Sequence, residues 1–178
     1  RVVDDLSVGS LAELDSIVEF SQVMAHDLPQ SRGGFEIIIG DINDAHLAHT
    51  VAADVDVIVH LAANTGVGPS VIEPRRDLRS NVVGTFNYLE AARAHGVSKF
   101  IFASSGAPVG EVDPPIHEEL APHPVSPYGA SKLCGEAYCS AYFHTYGVQT
   151  VALRFGNVYG PGSSKKDSVV AKFIKQWI

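Results

Sequence analysis

Cysteine is scarce in this chain: 178 residues contain two, Cys134 and Cys139. They stand five apart in a predicted helix and point to different sides, so no disulfide framework is expected. A reducing, cytoplasmic setting is the default expectation. Positive charge is scarce too, with 13 Lys and Arg against 20 Asp and Glu and a net charge of −7. Tracking a phosphate backbone needs clustered cations, which excludes a nucleic-acid partner. Lys165-Lys166 is the only adjacent lysine pair and reads as a solvated loop. No apolar run approaches the roughly 20 residues of a membrane span, so no membrane partner is expected. No signal-peptide pattern opens the sequence. The eight histidines include no His-x-x-x-His pair with an acidic neighbour, so no metal site is expected. Internal repeats and low-complexity tracts are absent. So is a strand followed by Gly-x-Gly-x-x-Gly. The nearest echo, Gly66-Val67-Gly68-Pro69-Ser70-Val71, lacks the last glycine, and Pro69 removes a backbone N–H that a phosphate would use.

What is present is an ordinary globular composition, 46% apolar and 19% charged, at a length suited to one domain. Short β-branched runs alternate with helical patterns. Strands are predicted at Val2–Asp4, Phe35–Gly40, Val55–Ala62, Phe100–Ser104 and Thr150–Phe155. They are nearly all apolar, as expected for strands covered on both faces. Helices are predicted at about Leu11–Met24, Asp44–Ala52, Arg75–His95 and Pro127–Tyr146, with another beginning in Ser168–Ile178. Gly96 and Gly147 follow two of them where a left-handed residue ends a helix. This alternation predicts an α/β fold, a doubly wound parallel sheet of the Rossmann-like kind. Val109–Pro127, with five prolines and several acids, is a loop of the sort that borders the ligand crevice of such sheets.

In dinucleotide folds an acid closing a strand holds the adenosine ribose, about 20 residues after the glycine-rich turn. Asp4 is that acid, which places the turn before residue 1. The expected protein therefore has about 20–30 more residues upstream, and the central first strand is absent from this chain. Without it, Val2–Asp4 and Phe35–Gly40 would be separated from the other strands.

The strongest chemical signal is Ser126-Pro127-Tyr128-Gly129-Ala130-Ser131-Lys132. Ser126 is a good N-cap and Pro127 a good first helical residue. Tyr128 and Lys132 then share one helix face. A free phenol, with a pKa of about 10, is a poor base near neutrality. An adjacent ammonium, the helix N-terminus and a bound nicotinamide cation are all expected to favour its phenolate, making Tyr128 a general base for an alcohol. Phe100–Ser105 is a strand ending in two serines, and Ser105 is positioned to bond the same oxygen. Val57–Ala63 ends in small residues that allow close approach of a ligand, and Arg154–Gly162 leaves its strand through Gly, Asn and Pro.

Together these segments resemble the extended short-chain dehydrogenases/reductases, in particular the nucleotide-sugar epimerase/dehydratase group that contains the UDP-glucose 4-epimerases. The resemblance rests on Asp4-Asp5, Gly40-Asp41-Ile42, His60–Ala63, Asn81–Thr85, Ser104-Ser105, Tyr128-x-x-x-Lys132 and Arg154–Gly162. It implies that residues 1–160 form an NAD-binding domain and that 161–178 begin a substrate domain. It implies that Asp4 holds the adenosine ribose, Asp41 and Ile42 the adenine, and that Leu61, Ala62 and Ala63 line the cofactor with Asn81 in support. Asp5, Ala103, Phe155 and Val158 complete the cofactor set, and Lys132 binds the nicotinamide ribose. Ser105, Tyr128 and Lys132 are the implied catalytic residues, and Ser105, Tyr128 and Asn157 the implied substrate contacts. NAD is preferred to NADP because the Asp4 carboxylate repels a 2′-phosphate. The implied partners are a nucleotide-diphosphate sugar, a UDP-sugar first, and a second copy of the chain. The implied reaction is epimerisation through a 4-keto intermediate. The alternatives are a net dehydrogenase or reductase acting on another alcohol, and an inactive cofactor-binding relative. The sequence departs from the group at Ser104-Ser105-Gly106-Ala107-Pro108-Val109-Gly110, where the group reads Ser-Ser-x-x-Val-Tyr-Gly. Gly106 and Ala107 supply none of the acids that dehydratases and decarboxylases of the group carry there, which disfavours both reactions.

Overall fold

The computed structural model describes residues 1–30 and 34–158, together with Phe173 and Gln176, both helical. Most of the expected 161–178 segment, and Gly160-Pro161-Gly162, lie outside the described residues. In chain order the elements are β1 (Val2–Asp4), α1 (Leu11–Asp15), β2 (Ser21–Gln22), β3 (Glu36–Ile39), α2 (Ala45–Val51), β4 (Val57–His60), α3 (Val67–Ile72), α4 (Pro74–Leu78), α5 (Thr85–His95), β5 (Lys99–Ser105), α6 (Pro127–Tyr146) and β6 (Thr150–Phe155). A π-helical turn, Arg79–Gly84, joins α4 to α5.

All strand pairs are parallel, as the alternation predicts. They form two three-stranded sheets, ordered β1-β3-β2 and β4-β5-β6, with the strands at Val2–Asp4 and Glu36–Ile39 separated from the later ones as expected. Helices join the two. α2, α5 and α6 bury one face of each sheet in a single core that includes Ile38, Leu47, Val51, Leu89, Phe100 and Phe102. In the first sheet Ile37 is buried on the face opposite Ile38, whereas the other face of the β4-β5-β6 sheet has no covering layer among the described residues. Val57, Val59, Val151, Leu153 and Phe155 are exposed there, while Phe100, Phe102 and Ser104 of β5 are buried on the helical side. Coverage on both faces, expected from the apolar runs, is thus met at β3 and met on one face only in the second sheet.

Local chemistry explains where the helices begin and end. Ser126 accepts from the Gly129 N–H at 3.1 Å, Pro127 opens α6, and Gly147 ends it at φ 76°. Asp44 caps α2 by accepting from the His46 and Leu47 N–H groups. Gly96 ends α5 at φ 64°.

Two expected helices differ. Leu11–Met24 is helical only through Asp15. α1 buries no residue, and Ser16 turns its hydroxyl back onto the Glu13 carbonyl at 2.7 Å. A helix this short with no packed face does not propagate, and Ser21 instead bonds the Phe35 carbonyl and starts β2. Arg75–His95 is interrupted by the π-turn, where Thr85 Oγ1 donates to the Asn81 carbonyl at 2.7 Å. Gly84 lets this turn press against Ile42, since a Cβ there would come within 2.5 Å of Ile42 Cδ1. Such wide turns are frequent at functional sites. The Gly66–Val71 segment opens α3.

His60 closes β4 beneath the site. Its Nε2 lies 3.1 Å from Thr85 Oγ1, and its ring stacks against Phe100 and Phe102. Burial, aided by the Lys132 charge, pushes the imidazole down to about 3. The unfolded imidazole titrates near 6.5. Between these values the unfolded chain holds the extra proton, so this contribution to stability is whole above about 6.5 and erodes as the pH falls toward 3. In denaturant unfolding taken from about pH 7 to about pH 5, the parent should lose roughly 2 kcal/mol more than His60→Gln. Equal losses in the two proteins would remove His60 as the source.

Candidate active site

The first turns of α6 carry the site. Tyr128 is half-buried, and its backbone N–H donates to the hydroxyl of fully buried Ser70 at 3.1 Å. Lys132 follows one turn later with 3% of its surface exposed. Its ammonium donates to the Ala103 carbonyl at 2.9 Å, and lies 5.9 Å from the centre of the Tyr128 ring and 5.0 Å from that of Phe102. Ser105, the last residue of β5, hydrogen-bonds the Tyr128 phenol and accepts from the Ala107 N–H at 3.2 Å. The expected group Ser105, Tyr128, Lys132 and Ala103 is therefore assembled where β5 meets α6.

The electrostatics differ from expectation in one respect. The Tyr128 phenol is raised above its ordinary value, because burial outweighs the hydrogen bond from Ser105, and the charge of Asp77 adds to the rise. Lys132 is itself strongly desolvated, which brings it down to about 8 against an opposing pull from Asp77.

The remaining predicted residues occupy the carboxyl ends of other strands. Asp4 ends β1 and Asp5 follows it, with exposed carboxylates that hold their own loop, accepting from the Leu6 N–H at 2.7 Å and the Ser7 N–H at 2.9 Å. Asp41 is exposed and accepts from both the backbone and the side chain of Asn43. Ile42 is tied to α5 through its carbonyl, which accepts from Asn87 at 3.0 Å. Leu61 is exposed, and Ala62 and Ala63 are half-buried just past β4. Phe155 pairs in register with Ser105, and Asn157 and Val158 follow it, all three exposed. The first sheet's acids share no hydrogen bond with Tyr128 or Lys132.

Asn81 is 1% exposed, and it reaches the site through a network rather than directly. Its Oδ1 accepts from the Asn64 N–H at 2.7 Å, and its amide nitrogen contacts the Asn64 carbonyl, Asp77 Oδ1 and Ser131 Oγ, each at 3.0 Å. Ser131 in turn donates to the Tyr128 carbonyl. Sequence reasoning passed over Asp77, Ser131, Ser70 and Asn64. Only the four-residue spacing from Asp77 to Asn81 hinted at a shared helix face. It also passed over Glu136, which takes two hydrogen bonds from Arg154, at 2.8 and 2.7 Å, and one from Ser104, and so clamps α6 to β5 and β6. A surface cavity lined by Glu136, Cys139, Ser140, Phe143, Thr150 and Ala152 contains none of the site residues.

Residues 10–178 match the NAD dependent epimerase/dehydratase family. The chain belongs to that family. It is 38% identical over 162 residues to a UDP-glucose 4-epimerase of Mycolicibacterium smegmatis, covering 89% of this chain and 48% of the relative. It is 43% identical over 126 residues to a GDP-6-deoxy-D-mannose reductase of Pseudomonas aeruginosa, covering 68% and 41%. Among solved structures, the UDP-glucose 4-epimerase of Thermus thermophilus in complex with NAD superposes with a TM-score of 0.75 at 34% identity, covering 90% of this chain and 48% of that one. This epimerase/dehydratase chain thus spans about half the length of the relatives it matches. Its parallel α/β fold is the family's Rossmann-like one, and the family is NAD-dependent.

The Asn81 network gives a stability test for this family member. Asn81→Ala would leave the Asn64 N–H and the Asp77 carboxylate buried without their partner, at about 1–3 kcal/mol for each abandoned group. Chemical denaturation should register a loss of about 2 kcal/mol or more. A change inside the error of the measurement would mean that water replaces the amide.

Proposed function

We propose that this chain is the cofactor-binding part of an NAD-dependent nucleotide-sugar epimerase, acting on a UDP-sugar through a 4-keto intermediate. The observation that carries the proposal is the convergence of Ser105, Tyr128 and Lys132 at the junction of β5 and α6. The UDP-glucose 4-epimerases among the relatives support the substrate class.

The residues present suit a dinucleotide. Asp4 and Asp5 offer exposed carboxylates that can accept from ribose hydroxyls, while Ala62 and Ala63 leave room beside β4. The Asn64 side-chain nitrogen is buried there with no partner among the described residues, which suits a ligand acceptor. Asp41 and Ile42 would border the adenine, Leu61, Ala62 and Ala63 would line the cofactor with Asn81 in support through Asn64, and Ala103, Phe155 and Val158 would complete the set. When bound, NAD supplies a hydride acceptor that later becomes the donor.

The chain's own part is proton handling and orientation. Tyr128 would take the proton of the sugar C4 hydroxyl and return it once the keto sugar has presented its other face. Ser105 would hold that same oxygen. Lys132, one of its protons already committed to Ala103, would orient a ribose hydroxyl and stabilise the phenolate. Asn157, beyond β6, would contact the sugar or its diphosphate. Gly106 and Ala107 lie where a dehydratase would need an acid, and their lack of one favours epimerisation.

Two further elements belong to the proposal. An upstream strand ending in a glycine-rich turn would fit between β1 and β4, where the two sheets part. A homodimer would pack α5 and α6 against their copies as a four-helix bundle, supported by the exposed aromatic side chains Phe86, Tyr138, Phe143 and Tyr146 on those helices. Among the described residues no helix is long and apolar enough to cross a membrane.

The reductase among the relatives favours a second reading, net redox on a sugar nucleotide. NADH would then accumulate or disappear with turnover, whereas an epimerase leaves its absorbance flat. In the natural full-length protein, Tyr128→Phe should cut kcat by roughly 100-fold or more while NAD affinity is kept. UDP-glucose and UDP-galactose interconversion, with product stereochemistry resolved, measures the first quantity and calorimetry the second. Parent-like turnover in the variant rejects Tyr128 as the acid/base.

A further inference from the structure

Asp77 has no part in the chemistry above, yet it is a carboxylate in α4 with 1% of its surface exposed. Its Oδ1 accepts from the Asn81 amide one helical turn on, at 3.0 Å. The same nitrogen reaches Ser131 Oγ on α6 at 3.0 Å, and Ser131 donates to the Tyr128 carbonyl at 3.0 Å. Asp77 is therefore fixed, through two side chains, to the turn of α6 that carries Tyr128 and Lys132.

The charges around this turn come from few elements. α6 contributes Tyr128, Lys132 and Glu136; β4 contributes His60; α4 contributes Asp77; β5 contributes the Ser105 hydroxyl. Glu136 is neutralised by its two bonds from Arg154, and buried His60 carries no charge near neutrality. Among the described residues Lys132 makes no ion pair, and its bond goes to a carbonyl. Asp77 is the carboxylate whose charge bears on both Tyr128 and Lys132.

We propose that Asp77 is a positioning residue for the Tyr128–Lys132 pair, its buried carboxylate fixed through Asn81 and Ser131 to the turn of α6 that carries both side chains. Asn81 is the strut that holds this charge. The assignment rests on the function proposed above only for its consequence in turnover; the hydrogen-bonded chain from Asp77 through Asn81 and Ser131 to the Tyr128 carbonyl is independent of it.

A purely structural role makes an opposite prediction for one residue. If removing Asp77 merely loosened the site, water would reach both side chains. Relief from desolvation would then lower the Tyr128 midpoint and raise that of Lys132. Removing a negative charge instead lowers both. Lys132 therefore decides between the two.

The experiment uses Asp77→Asn in the full-length protein, where the new amide oxygen can still accept from Asn81. The Lys132 midpoint is followed by the ε-carbon resonance of isotope-labelled lysine, assigned by its loss in Lys132→Met. The Tyr128 midpoint is followed by phenolate absorbance, taken as the difference from Tyr128→Phe. Both midpoints should fall by about half a pH unit or more, and Asp77→Glu should restore them toward the parent. If Asp77→Asn does not fold, Asp77→Ser carries the same expectation. A Lys132 midpoint that rises or stays in place overturns the assignment. Neither titration needs turnover, so an active Tyr128→Phe would reject the epimerase mechanism while leaving Asp77 to be judged on its own. In the active enzyme the acid limb of the kcat profile should move down with the Tyr128 midpoint and KM should hold; a pH-independent loss of kcat would also count against Asp77.

Discussion

A lysine ammonium buried against a strand carbonyl is the interaction on which the site depends. Lys132 can reach Ala103 only because α6 lies close on β5. That approach requires Gly135, where any Cβ would collide with the Phe102 ring, and it is held one turn further on by Glu136 gripping Ser104 and Arg154. Burying an ammonium is costly unless something replaces its water. Here the replacement comes from the Ala103 carbonyl, the face of Phe102 and the field of Asp77. The same closeness half-buries the Tyr128 phenol and puts it beside Ser105. Position and electrostatics thus have a single cause, the depth at which α6 sits.

That depth is set by helices rather than by a continuous sheet. The two sheets share no hydrogen bond, and their alignment comes from α2, α5 and α6 packing over a common core. Ile42 pressing into the space left by Gly84, and the Asn87 bond to the Ile42 carbonyl, tie the rim of the first sheet to the helix that supports the second. The rim residues of both sheets are thereby fixed relative to one core, although the strands carrying them never pair across the division.

Much of this was legible in the sequence, for identifiable reasons. The bounds of α6 follow from Ser126-Pro127 at one end and Gly147 at the other, because capping chemistry is local. The five main strands follow from their β-branched runs. Local signals fail where a neighbour decides. The pattern at Leu11–Met24 lacks a partner surface, so the helix stops at Asp15. The π-turn before α5 arises from packing against Ile42 and from a threonine bonding back to a carbonyl. The family set Ser105, Tyr128 and Lys132 could be named in advance, but Asp77 could not, because a lone aspartate in a helical run looks like a solvated one until its burial is known.

The direction of the Tyr128 shift carries the last step. A helix N-terminus and a cation four residues away both favour a phenolate, and from sequence nothing opposes them. In the fold Lys132 donates to Ala103 and lies toward the ring face, while burial acts on the hydroxyl directly. The resting site therefore holds a protonated phenol beside an ammonium close to losing its proton, a pair in which a small change of local charge moves both groups. Such a site is poised by its surroundings rather than permanently basic. It would gain its basicity when positive charge arrives beside the phenol, which ties proton removal to occupation of the crevice.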